Sequence, residues 1–542
     1  MININLLDNL INLYLNTKKK FRHIYQKSNF YDKKISKINN KNFEYKPSPH
    51  LFSSIVKYQK KKYKIDDFAL DSIWKSDINS QDYQKLNNFF WFFSLDLKSS
   101  KKETQSIIFN WINKNNRFNE KSWDFDLTAK RIISWLSNHQ LTYEDCNDEF
   151  KLKFNYSIQK QANYLLNEVD NFSEFEDKIV GCAAIILTGL AYNDHKNYLE
   201  NGLNLLRKII KSSIDNQGFP RSRSIKQLSL YLKYFIIIRE WFKESQNVIP
   251  EYIDENIYYL GQSYCFAWQN IHQDIFFNGN YLSNNDEFDQ YLKRFGYKFV
   301  NKNKEHGGYA ILKKKNIALV MDIGSSPIQK FSKDYQSGAL SFEIISKGKK
   351  LINNSGYFAD KNNRFNKFSK SSALQNTMII EDHSSCDFIK NEKSEYLISK
   401  GLKVFKKNIV FEDNYWKISA SHDGYSKKFN VIHERKIEFY PEQEKFIGFD
   451  KILKKDTKNV KFDIRFHLDP NSKIMKTLDN KSILIELKDE GWRFSCENFD
   501  INIDNGIYFG NKNSYIENQN IFISGISNKS DEIIKWEISK IQ

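Results

Sequence analysis

Only 7 of the 542 residues are proline and 20 are glycine, too few for a linker-rich or low-complexity chain. The 5 cysteines (Cys146, Cys182, Cys265, Cys386, Cys496) are odd in number and far apart. Their spacing encodes neither a disulfide framework nor a zinc site. No run approaches the roughly 18 apolar residues that a membrane-spanning helix needs. The amino-terminal stretch MININLLDNLINLYLNTKKKFRHIYQK is interrupted by Asp8 and several asparagines, and its cations follow the apolar part. A cleavable export signal has the opposite order. The stretch reads as an amphipathic first helix with a basic end, packing on the body or touching a membrane. Acids are outnumbered, 66 against 83 Lys and Arg, giving a formal net charge of +17. Such a surface favours an anionic partner, although dispersed lysines among Asn and Ile read equally as a solvated surface. No helix-turn-helix, zinc finger or RNP-like motif points to nucleic acid.

What is abundant is apolar and aromatic: 40% of residues are hydrophobic and 15% aromatic, with 43 Phe and 30 Tyr. A chain of this length and content builds more than one core. Residues 1–80 read as an irregular, basic lead-in. Residues 81–290 carry apolar positions at spacings of three and four, as in FDLTAKRIISWLSNHQ and SIKQLSLYLKYFIIIREWFKES. At least seven such helices with short joints predict helical hairpins packed side by side, as in a bundle, a solenoid or an α/α toroid. Near residues 290–306 the period shortens to two. Residues 300–542 then supply short strands with turn residues every 8 to 12 positions, the texture of an antiparallel β-sandwich.

The strand run GGYAILKKKNIALVMDIGSSP (residues 307–327), then GALSFEI, LINNSG, SALQNTMIIEDHSS, SASHDGYSKKFNVIHERKI and IRFHLDP, resembles the C-terminal domain of the heparinase II/III-like family in its order. WDFDLTAKRIISW and DNQGFPRSRSIKQLSLYLKYFIIIRE are similar to the helical half of its proteobacterial branch. The resemblance implies an α+β multidomain fold, an incomplete (α/α) toroid followed by a large antiparallel β-sandwich. It also implies a lyase acting by β-elimination on a uronate-containing acidic polysaccharide. Such chemistry needs a cation or amide on the uronate carboxylate, a base for the α-proton and an acid for the leaving oxygen.

This chain departs from the family where those groups stand. Gln336 occupies the place of a histidine before GALSF, and Gln375, in Leu374-Gln375-Asn376-Thr377, replaces a second. A carboxamide donates hydrogen bonds but takes up no proton near neutral pH. Gly338 stands where some members place a zinc-ligating aspartate, so no metal and no other cofactor is expected. Gln227 falls near a position where members carry a tyrosine.

The candidate catalytic residues are therefore Tyr335 and Gln336 at a strand lip, Gln375, and His433 in VIHERKI. His422 and His467 read as strand histidines with structural bonds. Arg221 and Arg223 in QGFPRSRS, Arg364 in a polar stretch, Asn376 and Tyr425 are the candidate substrate contacts. Each has a plainer reading as a cap, turn or core residue, and Trp123, Trp135 and Trp241 read as packing. Two functions follow from different classes: the lyase, or a catalytically silent glycan-binding or envelope-assembly protein that keeps the fold without the acid–base groups. The resemblance implies a place in the cell envelope or periplasm, while the absence of a legible signal peptide leaves the cytoplasm open.

Overall fold

The computed structural model describes residues 17, 20–39, 42–56, 80–96, 101–283, 285–391, 393–454, 456 and 458–541. The N-terminal amphipathic stretch 1–16 and the basic YQKKKYK at 58–64 lie outside the described residues. The chain divides into two compact units: Met1–Ser212, Leu230–Ile257 and Gln290–Phe295 form one, and Ser213–Ser229, Tyr258–Asp289 and Gly296–Gln542 the other. Two stretches on the helical side of the sequence-based boundary thus group with the strands.

The first unit is helical. Asp124 accepts from the Leu127 amide to open the helix Phe125–Ser137, and Asn147 does the same with Phe150 for Asp148–Glu168. Both caps satisfy donors a helix start leaves orphaned. Gly181, within the helix Phe175–Ala191, sits so close to the Phe125 ring that a Cβ would lie 2.5 Å from it. The interior holds Trp123, Trp135 and Trp241. Trp135 meets Phe89 and Trp111 edge-on at 5.2 and 5.5 Å. Arg131 is buried there too, its guanidinium 3.9 Å above the Trp111 ring and bonded to Gln161, Thr128 and the carbonyls of Asn87 and Ser122. Burial pushes it down to about 9.

The second unit is the β-sandwich. Its eight-stranded sheet runs in the spatial order Lys473–Lys476, Ser482–Leu487, Glu490–Cys496, Asp531–Lys540, Lys445–Lys454, Val431–Tyr440, Trp416–His422, Val404–Phe411. Besides a small two-stranded sheet (Asp387–Lys390 with Tyr396–Lys400), a five-stranded sheet (residues 305–352) and a four-stranded sheet built on Val460–His467 complete it. The three larger sheets share one core: Met321 and Phe342 from the five-stranded sheet, Phe462 and Ile521 from the four-stranded one, Ile437, Phe446 and Trp536 from the largest. Strict alternation sets which side chains enter it. Val431–Tyr440 and Lys445–Lys454 bury every second residue, so Val431, His433, Arg435, Ile437 and Phe439 all face inward. The fold class expected from the sequence, helices first and an antiparallel sandwich after, is the one found.

Candidate functional site

The site begins at the turn QGFPRSRS. Asp215 accepts from the amides of Gln217 and Phe219, and Ile214 bridges Pro220. Gly218 takes φ +81 where a Cβ would strike Tyr259. Ser224 then caps the helix Ile225–Glu244 through the Gln227 amide, while the Ser222 hydroxyl donates to the Gln227 side chain at 2.6 Å. The turn throws its two arginines apart. Arg221 is exposed with no side-chain partner among the described residues. Arg223, at φ +63, turns inward.

The Arg223 guanidinium spends its contacts on protein oxygens: the carbonyls of Gly307, Gly308, Gly324 and Ser325 and the Asp322 carboxylate at 2.6 Å. It also lies 4.8 Å over the Tyr309 ring. Burial alone lowers its pKa, but Asp322, followed by Tyr309, outweighs that and raises it above the ordinary value. Asp322 passes the connection to the Asn278 amide, and Asn278 accepts from the Gln336 backbone N–H. The Gln336 carboxamide is fully used. Its oxygen accepts from Gly279 and its nitrogen donates to the carbonyls of Gly356 and Ser369. Arg223 and Gln336 therefore act as rivets holding loops together, and the expectation that they grip a substrate carboxylate is not met by their geometry.

The other lip residues are interior as well. Tyr335 is buried with Ala339, Ile398 and Leu402, beside the Cys386 thiol. Burial, then the neighbouring Cys386 and Asp322, hold its hydroxyl well above the usual tyrosine range, so it stays protonated. Tyr425 donates to the Met378 carbonyl at 2.7 Å, and burial raises its pKa too. Asn376 is consumed by the Phe342 carbonyl and the His467 amide. Gln375 is buried with neither amide atom hydrogen-bonded among the described residues, its oxygen facing Gly338. Arg364 is exposed at the start of the short helix Arg364–Ser369, over the Phe365 ring at 5.3 Å.

His433 belongs to a closed line. The Gly424 amide donates to His422 Nδ1 at 3.1 Å, so the His422 proton is on Nε2, which donates to His433 Nδ1 at 3.2 Å. His433 Nε2–H then donates to Asp450 at 2.7 Å. Arg435 closes on both Asp450 oxygens at 2.7 and 3.0 Å, and the Trp536 indole donates to one of them at 2.8 Å. Burial, against the opposing pull of Asp450, lowers His433, and burial with His433 and Arg435 lowers His422. Both rings are neutral with every nitrogen engaged. The reading of His433 as a base gives way to a structural one.

His467, bonded to Ser355 and the Ala373 carbonyl, is pushed down to about 3 by burial. The unfolded chain protonates it near 6.5. Between those values the unfolded state binds more protons, so stability falls as pH drops. The expected slope is about 1.4 kcal/mol per pH unit below roughly pH 6 for each such histidine. Urea midpoints measured from about pH 7.5 down to 5 check this; a flat profile contradicts it, and His467→Gln should flatten the wild-type slope.

An open cleft remains on this unit. Arg221, Gly308, Ser325, Pro327, Phe331 and Lys407 line it, with Arg223 closing its floor. Lys407 pairs with half-buried Glu305. Arg364 is not among its lining residues. Sequence reading named Arg221, which lines this cleft, as a candidate contact and passed over Lys407 and the buried partners Asp322, Asn278 and Asp450. It also missed Lys370, buried beneath Tyr335, donating to the carbonyls of Lys333 and Tyr335 and pushed down to about 7 by burial, with Asp334 partly opposing. Inward-facing phase with Phe446 and Ile452 was a signal for Asp450; nothing in the sequence marks the others. Among the described residues no group of three or more His, Cys, Asp or Glu could hold a metal ion, and no helix is long and apolar enough to cross a membrane.

Residues 301–537 match the family model described as "Heparinase II/III-like, C-terminal". A relative, FtsZ-localized protein C of Caulobacter vibrioides (strain NA1000 / CB15N), is 23% identical over 251 residues, 44% of this chain and 43% of that protein. The chain thus matches less than half of that relative's length. Among solved structures, heparinase III superposes with a TM-score of 0.69 at 14% identity, covering 94% of this chain and 88% of that one. The heparan sulfate lyase HepC of Pedobacter heparinus gives 0.63 at 12% identity, covering 94% and 85%. At such identities these likenesses establish the fold alone.

Proposed function

We propose that the protein, whose residues 301–537 match the heparinase II/III-like, C-terminal family model, binds a uronate-containing acidic polysaccharide and holds it without β-elimination, in a cell-envelope setting. One observation carries the reading. Where the family resemblance calls for titratable histidines stand Gln336, riveted to three backbone groups, and Gln375, while Tyr335 and His433 are buried and keep fixed protons. Proton transfer at those positions has no donor or acceptor to use. The exposed guanidinium of Arg221 beside Lys407 offers charge to a sugar carboxylate or sulfate. A relative named for where it localises rather than for a reaction fits a binding role.

A second reading, lyase activity, would have to use Lys370, whose amine burial pushes down to about 7, but that amine is buried, donates to the Lys333 and Tyr335 carbonyls and does not line the cleft. One experiment separates the two. Heparan sulfate, chondroitin and alginate are incubated with the protein while retention on immobilised glycan and ultraviolet absorbance of unsaturated uronate are both followed. Binding without absorbance is expected, and Arg221→Ala should weaken it about three- to fivefold, the worth of one exposed ion pair. Absorbance that Lys370→Met abolishes establishes the lyase instead; no retention of any acidic glycan overturns both.

A further inference from the structure

The helical unit carries a surface that the glycan reading does not use. Residues 20–26 are helical and lead through the Ser28 cap into the helix Asn29–Ile35. This segment is pinned from beneath. Arg22 donates to Glu168 at 2.8 Å and to the Asn167 carbonyl, and buried Tyr31 donates to the other Glu168 oxygen at 2.5 Å. Asp32 pairs with Lys160 at 2.8 Å.

So anchored, the segment turns large apolar side chains outward. Phe21 is 72% exposed, Ile24 67% and Phe30 71%. Phe21 and Ile24 are three apart and share a helix face. The Phe30 ring lies 6.2 Å from Tyr25, which follows Ile24. Three such residues within ten positions of one pinned segment need an explanation, unlike apolar residues scattered singly.

Charge supplies it. Lys20, Lys27, Lys33, Lys34 and Lys37 surround these residues in the sequence and are all exposed. The segment's one acid, Asp32, is spent on Lys160, and its arginine on Glu168. The five lysines have no acidic partner among the described residues. Apolar side chains flanked by unneutralised lysines match a surface that is apolar beneath and anionic above. A protein partner would have to supply a matching ring of acids around an apolar socket, whereas an anionic bilayer presents both everywhere.

We infer that residues 20–37 form a peripheral docking surface for anionic lipid membranes, with Phe21, Ile24 and Phe30 entering the headgroup boundary and the five lysines facing lipid phosphates. The contact is reversible and salt-sensitive, since each lysine contributes about fivefold at low ionic strength.

The test is co-sedimentation of the full chain with phosphatidylcholine vesicles, with and without about one-third phosphatidylglycerol. Binding is expected only to the anionic vesicles, and about 0.5 M salt should release it by screening. The variant carrying Phe21→Ser, Ile24→Ser and Phe30→Ser changes only exposed side chains and should bind at least tenfold more weakly with an unchanged circular dichroism melt. Replacing the five lysines by glutamine should do the same. Failure of the wild-type protein to bind, equal binding to neutral vesicles, or full binding by the serine variant each overturns the inference. So does a lipid-free dimer that the serine variant abolishes, which assigns the surface to a second copy of the chain.

Discussion

Replacing Asp450 by alanine is expected to cost about 3–5 kcal/mol of folding stability, because it leaves the buried Arg435 charge without its counter-ion. Asp450 stands directly across the ladder from Arg435. Besides that guanidinium it receives His433 and the Trp536 indole, so one substitution strands three donors in the sandwich core. Burial by itself raises the carboxyl pKa, but Arg435 and His433 more than reverse that and hold it well below the usual range. Its contribution is present above the unfolded value near 4 and lost as pH falls further. Urea unfolding followed by tryptophan fluorescence measures the cost. Its origin is tested by Asp450→Ala combined with Arg435→Met, because removing both charges should recover much of the loss. A single variant within about 1 kcal/mol of wild type would mean the core relaxes around the lone arginine. Neither variant should alter glycan retention at temperatures where the protein is folded, since neither residue lines the cleft.

How much of this the sequence disclosed depends on which physical signal a residue carries. The change of period from three-to-four to two near residue 300 is a property of many residues, and the order of helices and strands followed from it. Strand Val431–Tyr440 was legible in its alternation, but hydropathy places His433 and Arg435 outside, although they share the inward phase with Val431 and Ile437. The polar residue is inside because Asp450 meets it across a hairpin, and no local pattern announces that pairing. Gly448 is the visible trace: it faces Trp536 so closely that a Cβ would lie 2.0 Å from the indole. Gln336 and Tyr335 illustrate the opposite failure. A polar pair before a strand reads as exposed, whereas loops 278–280, 356 and 369 close over it and consume the amide. Arg221 and Arg223 read alike in the sequence, and they part only because the capping turn admits one of the two to the interior.

Arg223 is that interior arginine, and Arg223→Ala is expected to destabilise by about 3–5 kcal/mol, matching the loss of one partner of a buried ion pair. Asp322 would keep the Asn278 amide and the Gly324 N–H, but no positive charge. Four carbonyls would lose their donor at the same time. Arg223→Lys should recover only a small part, because a single ammonium cannot span the fork that reaches Gly307, Gly308, Gly324 and Asp322 together. The glycines record the same contact from the other side. A Cβ on Gly324 would lie 2.3 Å from the guanidinium carbon, so Gly324→Ala must push the arginine out of its socket. The two substitutions are therefore expected to be strongly non-additive: measured by urea denaturation, Gly324→Ala should be costly in the wild-type protein and nearly neutral once Arg223 is alanine. Equal costs in both backgrounds would show that Gly324 answers to its backbone and not to the guanidinium, and the rivet at the cleft floor would then have to be sought in Asp322 and Tyr309.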